Sequence, residues 1–148
     1  MRAVLVLALL SAPPPAMLET RDAASEYTLI VSSSNPVKSI KRRELARIFL
    51  RKVTRWEDGS SVSPVDQSAR SVVRSAFTRD VMRVEGLGQL SGVVNYWQQQ
   101  VYSGTGAPPP IKDGDGDVVS FVAANKGAIG YVTAGTNLDG VRVLKLEE

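Results

Sequence analysis

Apolar and polar positions along this chain change period several times, and each change marks an element. Residues 27–36, YTLIVSSSNP, hold a β-branched run that stops at serines, Asn35 and Pro36, the pattern of a buried strand entering a loop. In IKRRELARIFLRK the apolar Leu45, Ile48 and Phe49 fall at i, i+3 and i+4 with the bases elsewhere, which predicts an amphipathic helix. An Asp-Gly turn and a short strand, VSPVD at 62–66, follow. The spacing predicts a second helix from about Ala69 to Met82, with Val72, Val73, Ala76, Phe77 and Val81 inward. A third carries Leu90, Val93, Val94, Trp97 and Val101 on one face.

The stretch YSGTGAPPPIKDGDGD reads as a long loop with an edge strand near Ile111. A short fourth helix, about Asp115 to Asn125, turns Val118, Phe121 and Val122 inward. KGAIGYVTAG (126–135) is an apolar strand entered by a glycine, and VRVLKLE (141–147) alternates like a strand with one wet face. The order β-α-β-α-α-(β)-α-β-β predicts an α/β fold: a mixed sheet flanked by helices in three layers.

The chain has 148 residues, room for one domain, and 43% hydrophobic content sufficient for a core. At the N-terminus, Arg2 precedes the apolar run Ala3–Leu10, then Pro13, Pro14 and Pro15. That layout predicts a signal peptide over 1–16 and a flexible leader over 17–26, hence a periplasmic or secreted protein whose domain is 27–148. The apolar run is too short to span a bilayer, so the protein is not expected to be membrane-embedded.

Cysteine and histidine are both absent. Disulfides, lipid-acceptor cysteines, ordinary zinc sites and His-based triads are thereby excluded, and no enzyme or cofactor is expected. The net charge of +3 is unevenly placed: Lys38, Lys41, Arg42, Arg43, Arg47, Arg51, Lys52 and Arg55 face the lone acid Glu44. A solvated helix face is the preferred reading, with an acidic partner as the alternative; nucleic acid is not expected of an exported protein.

DGDGD at 113–117 begins like a calcium loop, but Val118 and Ala124 stand where the template needs Gly and Glu. It reads as a turn whose Asp115 or Asp117 caps helix four, with no metal. Trp97 belongs to the core and Trp56 covers the end of helix one.

PVDQSARSVV (64–73) is the best candidate for chemistry. A helix start leaves backbone N–H groups unpaired and carries partial positive charge, and Gln67, Ser68, Arg70 and Ser71 could join it around an oxyanion. Asp66 or Ser68 as a plain N-cap is the competing reading, and on the residues alone the cap is preferred. A second hydroxyl cluster, including Ser33 and Ser34, ends the first strand, and ligands gather at strand carboxyl ends in α/β sheets.

Taken together, ELARIFLRKVTRWEDGS, VSPVDQS, FTRDVM, YWQQQVYSGTGAPPP and VVSFVAANKGAIGYV resemble the phosphate-type substrate-binding proteins of ABC transporters, over about residues 27 to 135. The resemblance is closest to the small single-domain exported members. It implies a periplasmic-binding-protein-like lobe, export, and non-catalytic binding of phosphate or a related oxyanion. In that family an Arg-Ser-Asp-Gly-Ser-Gly-Thr loop before a helix holds the anion. Here Gln67 stands at the Arg, Ser68 and Ser71 at the serines and Ala69 at the Asp, while Arg70 and Val72 replace the glycines and Val73 the Thr. The resemblance thus implies a weak anion site at Gln67, Ser68, Arg70 and Ser71, with Ser33 and Ser34 across a cleft, linked to phosphate uptake or sensing. The alternative is an interaction module that kept the fold and lost the ligand, its partner a membrane transporter or envelope protein.

Overall fold

The computed structural model describes residues 26–148. The signal peptide and nearly all of the leader read from the sequence lie outside the described residues.

Strands β1 (Tyr27–Ser32), β2 (Ser39–Lys41), β3 (Ser63–Pro64), β4 (Asp66–Gln67), β5 (Ile111–Lys112), β6 (Ala128–Thr133), β7 (Val141–Val143) and β8 (Lys145–Glu147) alternate with helices α1 (Arg42–Phe49), α2 (Val72–Val81), α3 (Leu90–Tyr102) and α4 (Asp115–Ala124). The main sheet has the order β3-β6-β1-β7, and the pairs β2-β8 and β4-β5 form two small extensions. β1 runs antiparallel to β6, with Tyr27 beside Thr133 and Val31 beside Ile129, whereas β3 runs parallel to β6.

The expected mixed α/β architecture is present, and its three layers follow from alternation along β1 and β6. Leu29, Val31, Ile129 and Tyr131 face one cluster with α1, α2 and α3 residues. Ile30, Ala128 and Val132 face the other, against Val118, Val119 and Val122 of α4. Both central strands are buried on both faces, which is why they read as continuous apolar runs. Phe77 of α2 stacks on Tyr131 at 4.0 Å between ring centroids, tying α2 to the sheet.

Glycine is required twice in KGAIGYV because neighbours come too close for a side chain. A Cβ on Gly127 would stand 2.2 Å from the Ser61 carbonyl oxygen. One on Gly130 would stand 2.8 Å from both Val118 Cγ1 and Val65 Cγ1.

Several boundaries differ from the sequence reading. VSPVD splits into two two-residue strands in different sheets, because Val65 between them is wholly buried. The stretch 141–147 likewise divides at buried Leu144, half pairing with β1 and half with β2. α2 begins at Val72 rather than Ala69, so Val72 is 84% exposed instead of inward. On α3 only Val93 and Trp97 are buried, while Val94 and Val101 lie open. Arg42, grouped with the solvated bases, is buried; its guanidinium pairs with Asp80, which also accepts from the Tyr27 hydroxyl at 2.5 Å. Trp97 and Trp56 are both buried as expected, and Trp56 Nε1 donates to the Gly127 carbonyl at 3.1 Å.

Gly130→Ala should destabilise the fold by about 1–3 kcal/mol through overpacking against α4. Urea unfolding would measure this, and an unshifted midpoint would show that α4 can retreat without cost.

Candidate functional site

β4 delivers Gln67 to the end of the sheet where β6 finishes, and the chain turns through Ser68, Ala69 and Arg70 before α2 starts. The Ser68 N–H donates to the Lys112 carbonyl at 2.9 Å, and the Ser71 N–H to the Ser68 carbonyl at 2.9 Å, so the turn is pinned to β5. A recess opens here, lined by Gln67, Ser68, Arg70, Ser71, Asp113, Gly114 and Asp115.

Gln67 forms its floor. The side chain is 1% exposed; Nε2 donates to Asp115 Oδ1 and to the Tyr131 carbonyl, both at 2.9 Å, and Oε1 accepts from Ser71 Oγ at 2.9 Å. Below it, Arg74 donates to the Gln67 carbonyl at 3.0 Å and lies 3.3 Å from Asp66, which also accepts from the Tyr131 hydroxyl. Burial raises the Asp66 carboxyl, and Arg74, the Tyr131 hydroxyl and the Gln67 N–H pull the other way. The Tyr131 hydroxyl is pushed far above its ordinary range by burial and by the Asp66 charge, so it remains a donor.

Asp115 behaves differently. Burial pushes its carboxyl up, but hydrogen bonds from Gln67, from Thr133 and from Thr136 outweigh that and leave it below the usual aspartate value. It therefore stands as a fixed negative charge at the recess wall. Its oxygen is engaged by Gln67 and the Thr133 N–H, so it does not cap α4; Gly114 occupies the cap position, and neither Asp115 nor Asp117 caps the helix through its side chain.

The same holds at α2, where the sequence left a choice between cap and anion site. Ser71 occupies the N-cap position, yet no side chain caps the helix. The Ser71 hydroxyl is drawn to Gln67 instead, Ser68 Oγ accepts only from the Arg70 N–H at 3.3 Å, and Asp66 is buried in the Arg74 pair. The cap reading thus gives way: the first-turn N–H groups of α2 have no side-chain partner among the described residues.

Of the six residues singled out from the sequence, Ser68, Arg70 and Ser71 border the recess, and Gln67 lies under it with its amide fully committed. Ser33 and Ser34 do not join them. Because β1 is antiparallel to β6, its carboxyl end lies at the opposite end of the sheet, beyond the Val31–Ile129 pair, whereas the recess adjoins Thr133. The network beneath the recess, Asp66, Arg74 and Tyr131, carried no local signal: its members come from β4, α2 and β6 and meet only in the fold. Among the described residues no group of three or more acidic, His or Cys side chains could hold a metal ion, and no helix is long and apolar enough to cross a membrane.

A family model for the PBP superfamily domain matches residues 16–145. The chain belongs to the PBP superfamily. Protein SphX of Synechococcus elongatus is 30% identical over 120 residues, which are 77% of this chain and 32% of that protein. Two solved structures share the fold. One, a proposed phosphate ABC transporter substrate-binding protein from Clostridium perfringens with bound phosphate, has a TM-score of 0.62 at 24% identity, covering 82% of this chain and 44% of that one. The other, an ABC-type phosphate transport receptor from Vibrio cholerae, has a TM-score of 0.63 at 18% identity, covering 83% and 47%. The resemblance to phosphate-type substrate-binding proteins read from the sequence is thus borne out, and the chain spans about a third of the curated relative and under half of the solved ones.

Gln67→Leu should cost about 1–3 kcal/mol by orphaning the Tyr131 carbonyl and the Ser71 hydroxyl. It should also show a pH signature. A carboxyl whose folded pKa is depressed contributes stability above its unfolded pKa and loses it as pH falls through the folded value. Removing one donor to Asp115 shrinks that contribution, so the gap between parent and variant should narrow on going from neutral pH to below the usual aspartate range. Urea unfolding at several pH values checks this, and a constant gap would mean that Gln67 does not hold Asp115 ionised.

Proposed function

We propose that this protein is an exported, non-catalytic solute-binding protein that takes phosphate or a related oxyanion weakly at the start of α2, in phosphate uptake or sensing. The observation that carries this reading is the uncapped α2 N-terminus opening on a recess rimmed by Ser68 and Arg70. Uncapped N–H groups and the helix dipole attract an anion, Arg70 adds a full charge, and the Ser68 hydroxyl has a proton to donate. The relatives' names support the ligand class: phosphate is bound in the Clostridium structure, and the Vibrio protein is a phosphate transport receptor.

Two features set the affinity low. The Arg70 side chain crowds the backbone approach at the rim, and the recess is open to solvent, so water competes for every contact. Asp115, held ionised on the wall, repels a fully deprotonated oxyanion and accepts a hydrogen bond from one that keeps a proton. Phosphate near neutral pH keeps one, and sulfate does not.

Calorimetric titration of the mature protein at low salt should therefore give saturable heat with phosphate and weaker heat with sulfate. Arg70→Ala should lower phosphate affinity about tenfold, the loss of one charge-assisted contact. Ser91→Ala, on the exposed start of α3, should change nothing. Folded protein giving no saturable heat with phosphate would overturn the reading.

A further inference from the structure

The basic first helix holds a feature that neither the fold nor the anion recess uses. α1 ends in a six-to-one and five-to-two pair of backbone bonds: the Lys52 N–H donates to the Arg47 carbonyl at 2.8 Å, and the Arg51 N–H to the Ile48 carbonyl at 2.9 Å. This is a Schellman end, in which the residue after the C-cap adopts left-handed backbone and is ordinarily glycine. Here it is Arg51, at φ 59, the one non-glycine residue with positive φ among the described residues. A Cβ in that conformation is strained, so the chain loses stability by placing arginine there.

No contact of the arginine side chain offsets that loss. Arg51 is exposed and its guanidinium makes no hydrogen bond or ion pair among the described residues. Arg43 and Arg47 are also exposed and also lack a carboxylate within salt-bridge reach among the described residues, although Arg42 and Lys52 beside them pair with Asp80 and Glu85. Arg43 and Arg47 stand four residues apart, a spacing at which like charges repel on a helix. The helix dipole accounts for a cation in the last turn, such as Arg47, but disfavours one in the first, such as Arg43.

We propose that the exposed side of α1 carrying Arg43 and Arg47, together with Arg51 just past its C-cap, is a docking surface for an acidic helix of a partner protein. Charge complementarity selects the occupant. Arg43 and Arg47 lie about 6 Å apart along the axis, the separation of glutamates spaced four residues apart on a facing helix. Guanidinium groups also match carboxylates by two-pronged hydrogen bonding. A membrane is the poorer fit, because the large exposed hydrophobic residues, Val72, Val94, Val101, Tyr102, Ile111 and Val143, all lie on other elements and α1 has none to insert. The surface is independent of the anion recess, so either can fail alone.

The test uses the mature protein and a labelled helical peptide with glutamate at every fourth position. A control peptide of the same composition has its glutamates spread around the helix. Fluorescence anisotropy at low salt should show binding of the first peptide in preference to the control, weakening as salt rises. Arg43→Ala, Arg47→Ala and Arg51→Gly should each reduce affinity about two- to fivefold. Arg51→Gly should at the same time raise the urea midpoint, because it relieves the left-handed strain. Phosphate heat should be unchanged in all three variants. The proposal is overturned by equal binding of both peptides, by unaltered binding after charge reversal of all three arginines, or by capture on phosphatidylglycerol vesicles or duplex DNA without capture of the peptide. A lowered midpoint in Arg51→Gly would also overturn it, since the arginine would then serve the fold.

Discussion

A primary amide taken out of water must find partners for two N–H groups and a carbonyl oxygen, or the fold loses the desolvation cost of each. Gln67 finds all three, and they lie on three different elements: Asp115 at the start of α4, the Tyr131 carbonyl of β6 and the hydroxyl of Ser71 before α2. Its own backbone carbonyl is held by Arg74, which is itself tied to Asp66. Two residues of β4 therefore fix where two helices begin relative to the sheet. With strands this short, ladder hydrogen bonds alone could not do so. The aromatic stack of Phe77 on Tyr131 then sets the distance at which α2 lies over the sheet.

The same constraint shapes the chemistry at the surface. Ser71 occupies the N-cap position of α2 and Asp115 is a cap candidate in the sequence, and both are turned inward by the one amide. The recess is lined by Ser71, the N-cap residue of the uncapped α2 start, and by the carboxylate left ionised, Asp115. Under the proposed function, attraction for an anion and preference for one that retains a proton would be two consequences of one buried side chain. On the same proposal, the open recess, in a chain that spans under half of its solved relatives, accounts for the weak affinity.

The parts legible in the sequence were those whose signal is local. Leu45, Ile48 and Phe49 announced α1, and the unbroken apolar runs of β1 and β6 announced strands covered on both faces. A short strand at 62–66 and an edge strand near Ile111 were readable, but the division into β3 and β4 and the pairing of all three were not, because the pairing is set by neighbours distant in sequence. Ser68, Arg70 and Ser71, singled out because they flank a helix start, border the recess. Ser33 and Ser34 were misplaced for a topological reason. The rule that strand carboxyl ends gather ligands presumes parallel strands, and β1 runs against β6. Asp66, Arg74 and Tyr131 gave no local signal, since a polar residue destined for a buried network looks like any other polar residue until its partners meet.

Departures from local preference are most informative where nothing inside the fold requires them. Arg42 is a buried charge, but Asp80 and Glu148 account for it. Gly127, in the turn before β6, and Gly130 within it leave positions without side chains, and the Ser61 carbonyl and Val118 account for those. The uncapped start of α2 follows from Gln67 drawing Ser71 inward, which leaves left-handed Arg51 as the departure without an internal account. Both place uncompensated positive charge at the surface, one as backbone N–H groups in a concave recess and the other as a guanidinium beside a convex helix. Curvature separates what each can receive. A recess a few residues wide suits a small oxyanion that the N–H groups can surround, whereas a convex row of arginines can satisfy its charge only against carboxylates that another surface holds in a matching row. On the two proposals together, shape divides two sites of the same sign: the recess takes a solute and the helix face a partner.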